Sequence, residues 1–153
     1  MNGAPTVFAS ASAAETQAFG ARLAAELRAG DLVLISGELG VGKTTLVRGA
    51  ARALGVKQAV TSPTYTIGRR HRGADGVVVS HLDLYRLADR SPGDEDPALL
   101  EDYLDGSAIA FVEWPDASPF ALGKPRFEVV LHHDGADSRR IELSPSCGAV
   151  AGS

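Results

Sequence analysis

A chain of 153 residues, 44% hydrophobic and 22% charged, has the balance of one folded domain and little room for a second core. Its formal net charge of −4 argues against an autonomous nucleic-acid binder, whose affinity rests on basic excess, so any RNA contact is expected to be indirect or weak. The one cysteine, Cys147, excludes an internal disulfide or a Cys-based metal cage; with no basic leader and no apolar run near the ~20 residues of a membrane span, a cytoplasmic protein with no membrane contact is expected.

Thr6–Ala9 reads as a short edge strand. From Ala11 to Ala29 the apolar residues Ala14, Phe19, Leu23 and Leu27 fall at helical spacing, with Ser12 as N-cap, Glu15 at the capping-box position and Gly30 as the stop. Leu32–Ile35 is a continuous apolar run, expected of a strand buried on both faces of a parallel sheet. It leads directly into Gly37, and a helix follows from Lys43 to about Leu54, closed by Gly55. Tyr65–Arg70 and Val77–Asp83 are predicted to pair as a hairpin around Gly73–Gly76. Leu99–Leu104 reads as a short helix after the acidic segment Ser91–Pro97, and Ala108–Val112 as a buried strand ending at Glu113. Phe127–Leu131 and Arg139–Leu143 form a last pair across Asp134–Asp137. The expected organisation is one α/β domain over residues 1–143 with a mixed sheet, and a flexible tail over 144–153.

Gly37-Glu38-Leu39-Gly40-Val41-Gly42-Lys43-Thr44 matches the phosphate-loop pattern G-x-x-x-x-G-K-[ST] at every defined position, between a buried strand and an amphipathic helix. Glycines let successive backbone N–H groups turn toward phosphate oxygens, and the helix adds its partly positive N-terminus. Lys43 supplies a compact charge for the outer phosphates, and Thr44 a hydroxyl for Mg²⁺. Guanine readers generally carry an Asn/Thr-Lys-x-Asp motif, and the only asparagine here is Asn2, so ATP is the expected nucleotide.

Turnover needs acids for the metal and the water. Asp83 and Glu113 each end a strand where ligands bind in open α/β sheets, and either can serve as the metal-holding acid. Ser62-Pro63-Thr64-Tyr65-Thr66 reads equally as a γ-phosphate-sensing switch or a hydroxyl-rich turn. Trp114 reads more readily as a packing residue, and His81 as one that packs or hydrogen-bonds within its strand. Arg86 is a phosphate or partner contact, or an ion-pair partner of Asp83 or Asp89. The basic run Arg69–Arg72 reads as a solvated hairpin tip before it reads as an RNA contact.

Four motifs stand in fixed order: Gly37–Thr45, Ser62–Thr66, His81-Leu82-Asp83-Leu84-Tyr85-Arg86-Leu87, and Glu113-Trp114-Pro115. That series resembles the bacterial TsaE (YjeE) family, ATPases required for threonylcarbamoyladenosine in tRNA, from about Ala14 to Pro115. The resemblance implies a P-loop NTPase-like three-layer α/β fold with a mixed, mostly parallel central sheet plus antiparallel hairpins. It implies Mg²⁺-dependent ATP hydrolysis, slow in isolation, that matters in complex with TsaB and TsaD. In that system TsaD transfers the threonylcarbamoyl group, and the resemblance implies for this chain the TsaE part, resetting the complex between turnovers. Lys43, Asp83 and Glu113 match the catalytic set; Thr44, Glu113 and Asp83 the metal set. Thr16, Gly37, Glu38, Leu39, Gly40, Val41, Gly42, Lys43, Thr44, Thr45 and Thr64 match the nucleotide-binding set, and Trp114 matches the family's tryptophan. The chain departs from the family over Ser91–Pro97 and Leu99–Leu104, where a Leu-Gly-containing stretch is usual.

A small-molecule kinase is the alternative reading, since it shares the P-loop and the metal-binding acid. Its arginine-rich lid is poorly matched by Ser91–Pro97, although Arg86 and Arg90 flank that segment. A module that binds ATP without turnover has no need of two strand-end acids.

Overall fold

The computed structural model describes residues 5–61, 67–85, 98–118 and 122–145. In chain order these form β1 (Thr6–Ser10), α1 (Ala13–Ala24), β2 (Leu32–Gly37), α2 (Lys43–Ala53), β3 (Gly68–Arg72), β4 (Val78–Asp83), α3 (Ala98–Glu101), β5 (Ile109–Glu113), β6 (Phe127–His133) and β7 (Arg139–Pro145). The strands join one 7-stranded sheet in the order β1-β7-β6-β2-β5-β4-β3. Only β3 and β7 run against the other strands, so the sheet is mixed and mostly parallel.

Alternating side chains divide the core into two layers, one on each face. Val33 and Ile35 of β2 and Ile109 and Phe111 of β5 point to the face covered by α1 and α2. Leu32 and Leu34 of β2 and Ala110 and Val112 of β5 point the other way, toward Leu100 of α3 and the side chains of Tyr103, Leu104, Trp114 and Leu122. Burial on both faces explains why β2 and β5 are uninterrupted apolar runs.

The helix pair is held by close backbone approach. A Cβ on Gly20 of α1 would lie 2.1 Å from the Leu46 carbonyl oxygen, and one on Gly49 of α2 would lie 2.1 Å from that of Gln17. Only glycine permits this spacing, which locks α2 against α1 and so fixes the position of its N-terminus.

Several boundaries differ from expectation. Helix α1 stops at Ala24, because Glu26 and Leu27 donate to the carbonyls of Leu23 and Ala24 in a tightened last turn. Gly30 (φ 93°) therefore does not end the helix; it turns the chain into β2, its N–H donating to the Ala108 carbonyl. The edge strand β3 covers Gly68–Arg72, running two residues past the expected end at Arg70, so the basic run is the strand itself and the turn lies beyond it; Tyr65 and Thr66 of the expected strand lie outside the described residues. Arg70 donates to Ser107 Oγ at 2.9 Å, and His71 is buried. Helix α3 ends at Glu101, three residues short of the expected Leu104. Cys147 and all of the tail but Ser144 and Pro145 lie outside the described residues, as does Ser91–Pro97.

Candidate functional site

Because β2, β4 and β5 are parallel neighbours, their C-terminal ends lie together. The register sets Glu113 beside Ile35 on one side and Asp83 on the other. Gly37 continues from β2 into the loop, and α2 rises from its far end. Sheet topology alone thus gathers the phosphate loop, both strand-end acids and the start of α2.

The loop runs through positive φ at Gly37 (148°), Gly40 (74°) and Gly42 (112°). At Gly37 a Cβ would also lie 2.7 Å from the Leu131 carbonyl oxygen, so that position excludes any side chain. The two long helices differ in how they begin. Ser12 Oγ accepts the Glu15 amide of α1 at 3.2 Å, and Glu15 Oε1 returns to accept the Ala11 amide, the expected box displaced by one residue. Helix α2 starts from Gly42, with no side-chain cap and no acid in its first turn. A helix end built in that way favours an anion near its amides.

Lys43 is buried, its Nζ donating to the carbonyls of Gly37 and Glu38, both at 2.8 Å, and standing 4.4 Å from the centre of the Trp114 ring. Burial lowers its pKa from the ordinary lysine value, while the carboxylates of Glu113 and Asp83 pull it back up. Thr44 Oγ1 donates to Glu113 Oε2 at 2.8 Å. Asp83 Oδ1 accepts the Tyr85 amide at 3.1 Å. Burial raises the Asp83 pKa above the ordinary aspartate value; the Tyr85 amide opposes this and the nearby Glu113 charge adds to it.

Leu39, Gly40, Gly42, Lys43, Thr44, Thr45, Asp83, Glu113 and Trp114 line a cavity of about 270 Å³. On the other flank of the loop lies a second cavity of about 240 Å³, bordered by Thr16, Gly40, Val41, Gly42, Thr45, Asp137 and Arg139 among others. Thr16 borders it, its hydroxyl 2.7 Å from Ser10 Oγ and its methyl toward Gly42. Val41 is fully buried under the loop, whereas Leu39 stands out at its tip.

Trp114 borders the phosphate-loop cavity, packs against Tyr85 at 4.9 Å between ring centres with the rings tilted by 54°, and adopts left-handed backbone (φ 59°) that bulky residues rarely take. It belongs to the site as well as to the core, and strain of this kind concentrates at functional positions. His81 bonds across strands to Glu113 rather than within its own strand. Thr64 and the rest of Ser62–Thr66, together with Arg86, lie outside the described residues.

Arg139 escapes sequence reasoning altogether. Its Nε donates to the Val41 carbonyl at 2.8 Å, bracing the loop from β7. An arginine opening a strand carries no motif; the sheet alone brings it to the loop. Asp137, in the turn before it, is likewise unmarked in the sequence.

Oxygen donors such as Thr44, Glu113 and Asp83 suit Mg²⁺, which commonly uses one or two carboxylates and completes its shell with phosphate and water. Among the described residues no group of three or more His, Cys, Asp or Glu side chains could hold a metal by itself. Thr44, Glu113 and Asp83 thus fit part of a magnesium shell.

The family model described as "Threonylcarbamoyl adenosine biosynthesis protein TsaE" matches residues 10–141. A Streptomyces coelicolor protein named as a tRNA threonylcarbamoyladenosine biosynthesis protein TsaE is 46% identical over 120 residues, covering 78% of this chain and 80% of its own length. A Bacillus subtilis protein of the same name is 38% identical over 131 residues, covering 85% and 79% respectively. Among solved structures, the crystal structure of Bacillus subtilis YdiB superposes with a TM-score of 0.76 at 28% identity, covering 95% of this chain and 88% of the other.

Proposed function

The chain belongs to the TsaE family of threonylcarbamoyl adenosine biosynthesis proteins, and from that premise we propose that it hydrolyses Mg·ATP as an accessory step of tRNA modification, with TsaB and TsaD as partners. One observation carries the hydrolytic part: the Thr44 hydroxyl and the Glu113 carboxylate meet at 2.8 Å beside the buried ammonium of Lys43. A hydroxyl and a carboxylate joined at the mouth of a phosphate loop form the usual seat of a magnesium ion.

In this reading the amides of the loop and of the start of α2 hold the phosphate chain. The cavity bordered by Thr16, Asp137 and Arg139 receives the nucleoside end. Lys43 places its charge on the outer phosphates, and Trp114 confines it from one side. Bound magnesium, held by Thr44 and Glu113, supplies charge neutralisation at the phosphoryl oxygens. Asp83 orients the attacking water and takes its proton, and its raised pKa suits a group that must accept one.

The test is phosphate release from ATP by the protein alone and with TsaB, TsaD and tRNA, beside K43A and D83A. Stimulation by the partners, loss of nucleotide binding in K43A, and retained binding with turnover reduced about 10²–10³-fold in D83A are expected. Unchanged turnover in both variants would overturn the site. No response to the partners would overturn their assignment.

A further inference from the structure

We propose that His81 is a positioning residue of this site: its ring N–H fixes the Glu113 carboxylate in the orientation from which that carboxylate serves the metal, an inference that rests on the Mg·ATP reading above. His81 is fully buried in β4, two residues before Asp83 and on the same face of the sheet. Its strand partner across the ladder is Phe111, yet the ring reaches diagonally to Glu113, with Nε2 2.6 Å from Oε2. Between an imidazole and a carboxylate the ring N–H is the donor.

The same oxygen also accepts the Thr44 hydroxyl. Glu113 Oε2 thus lies between two donors of different character. Thr44 belongs to the phosphate loop, and its oxygen is needed as a metal ligand. His81 belongs to the interior of the sheet and has no second task in the site. When the threonine oxygen turns to the metal, the imidazole still holds the carboxylate. Groups that orient metal-binding side chains from behind commonly matter about 10–100-fold in metal affinity or activity.

Packing alone does not account for a histidine at this position. Its other ring nitrogen, Nδ1, is buried with no hydrogen-bond partner among the described residues. A leucine or methionine would fill the same space between Val79 and Asp83 without leaving a polar atom unmatched. Among the described residues, the one bond that the ring makes is to the carboxylate that the site depends on.

The test compares wild type, E113Q, H81Q and H81M. Glutamine can bring an amide N–H close to the position of Nε2, whereas methionine has similar length and no donor. Calorimetry would measure ADP affinity in EDTA and then Mg²⁺ affinity of the ADP-bound protein, with circular dichroism confirming the fold. H81M and E113Q are expected to keep wild-type ADP affinity in EDTA and to lose about tenfold or more in Mg²⁺ affinity. H81Q should restore it close to wild type. Should H81M not fold, H81N takes its place, since the shorter amide keeps the polarity and does not reach Oε2. Wild-type Mg²⁺ affinity in the folded donor-less variant would overturn the positioning role alone. So would an H81Q as impaired as H81M, since shape rather than the N–H would then be what matters. A wild-type protein whose ADP complex takes up no Mg²⁺ would overturn the site reading and, with it, this inference.

Discussion

Asp83 shows how the placement of a single carboxyl sets the sign of a pH effect on stability. Its carboxyl is held partly away from water and beside a second carboxyl, so its pKa is raised in the folded protein. Between the unfolded and folded values the native state binds the additional proton, and stability falls as the pH rises through that interval. Above the folded value the penalty is complete. Asp83→Asn does not titrate there, so the metal- and nucleotide-free variant should melt at a higher temperature than wild type at pH 7. The difference should vanish below the ordinary aspartate value of 3.8. A gain of about 1 kcal/mol corresponds to roughly 2–4 °C in a chain of this size. Melting curves across pH check the sign, and a variant less stable than wild type at pH 7 would refute it. Both acids are legible in the sequence because each ends an expected strand. The link from His81 through Glu113 to Thr44 is not, since it joins residues 32 and 69 positions apart. No spacing rule reaches across a sheet.

At the scale of elements, the approach of α1 to α2 is what aims the phosphate loop. Gly20 and Gly49 sit where each helix meets the other's backbone. In an isolated helix, replacing glycine by alanine gains up to about 1 kcal/mol. Here each added methyl meets a carbonyl oxygen in the other helix, and overpacking of this kind commonly costs about 1–3 kcal/mol. Gly49→Ala and Gly20→Ala should therefore destabilise despite the better helix propensity, measured by urea unfolding. Each should also weaken ADP binding, because the start of α2 shifts with its shaft. Stabilisation by either substitution would show that the helices have room to separate. The periodicity that marks α1 and α2 is plain in the sequence; their separation is not, because glycine reads there first as a weak point. The boundary errors have similar local origins. The apolar Leu27 extends the expected helix beyond Ala24, although it is reached through a tightened turn. The strand β3 runs on to Arg72, two residues past its expected end, and within it Gly68, whose Cβ would lie 3.1 Å from the Tyr103 ring, is a packing site.

For the molecule as a whole, ligand binding and folding are linked through one sheet. The groups assigned to the phosphate chain come from β2, α2, β4 and β5, and the loop is braced from β7. A nucleotide that binds only the assembled site stabilises the fold by about 2.7 kcal/mol at one hundred times its dissociation constant. With roughly 2–4 °C per kcal/mol, Mg·ADP at that excess should raise the melting temperature by about 5–10 °C. K43A should show no such shift, and an equal shift in K43A would mean that binding occurs elsewhere. No described helix is long and apolar enough to cross a membrane.

The pairing of β1 with β7 also bears on how the chain is made. Thr6 lies opposite Leu143, and in this sheet β1 has no neighbour other than β7. During synthesis the first of these strands must wait, exposed, until the last has left the ribosome. Such a distant pairing is intrinsically slow to form. Arg139, in that same last strand, reaches Val41 only then. A nascent chain carrying its whole phosphate-loop motif therefore still lacks the brace behind it, and the site is completed only once β7 has emerged.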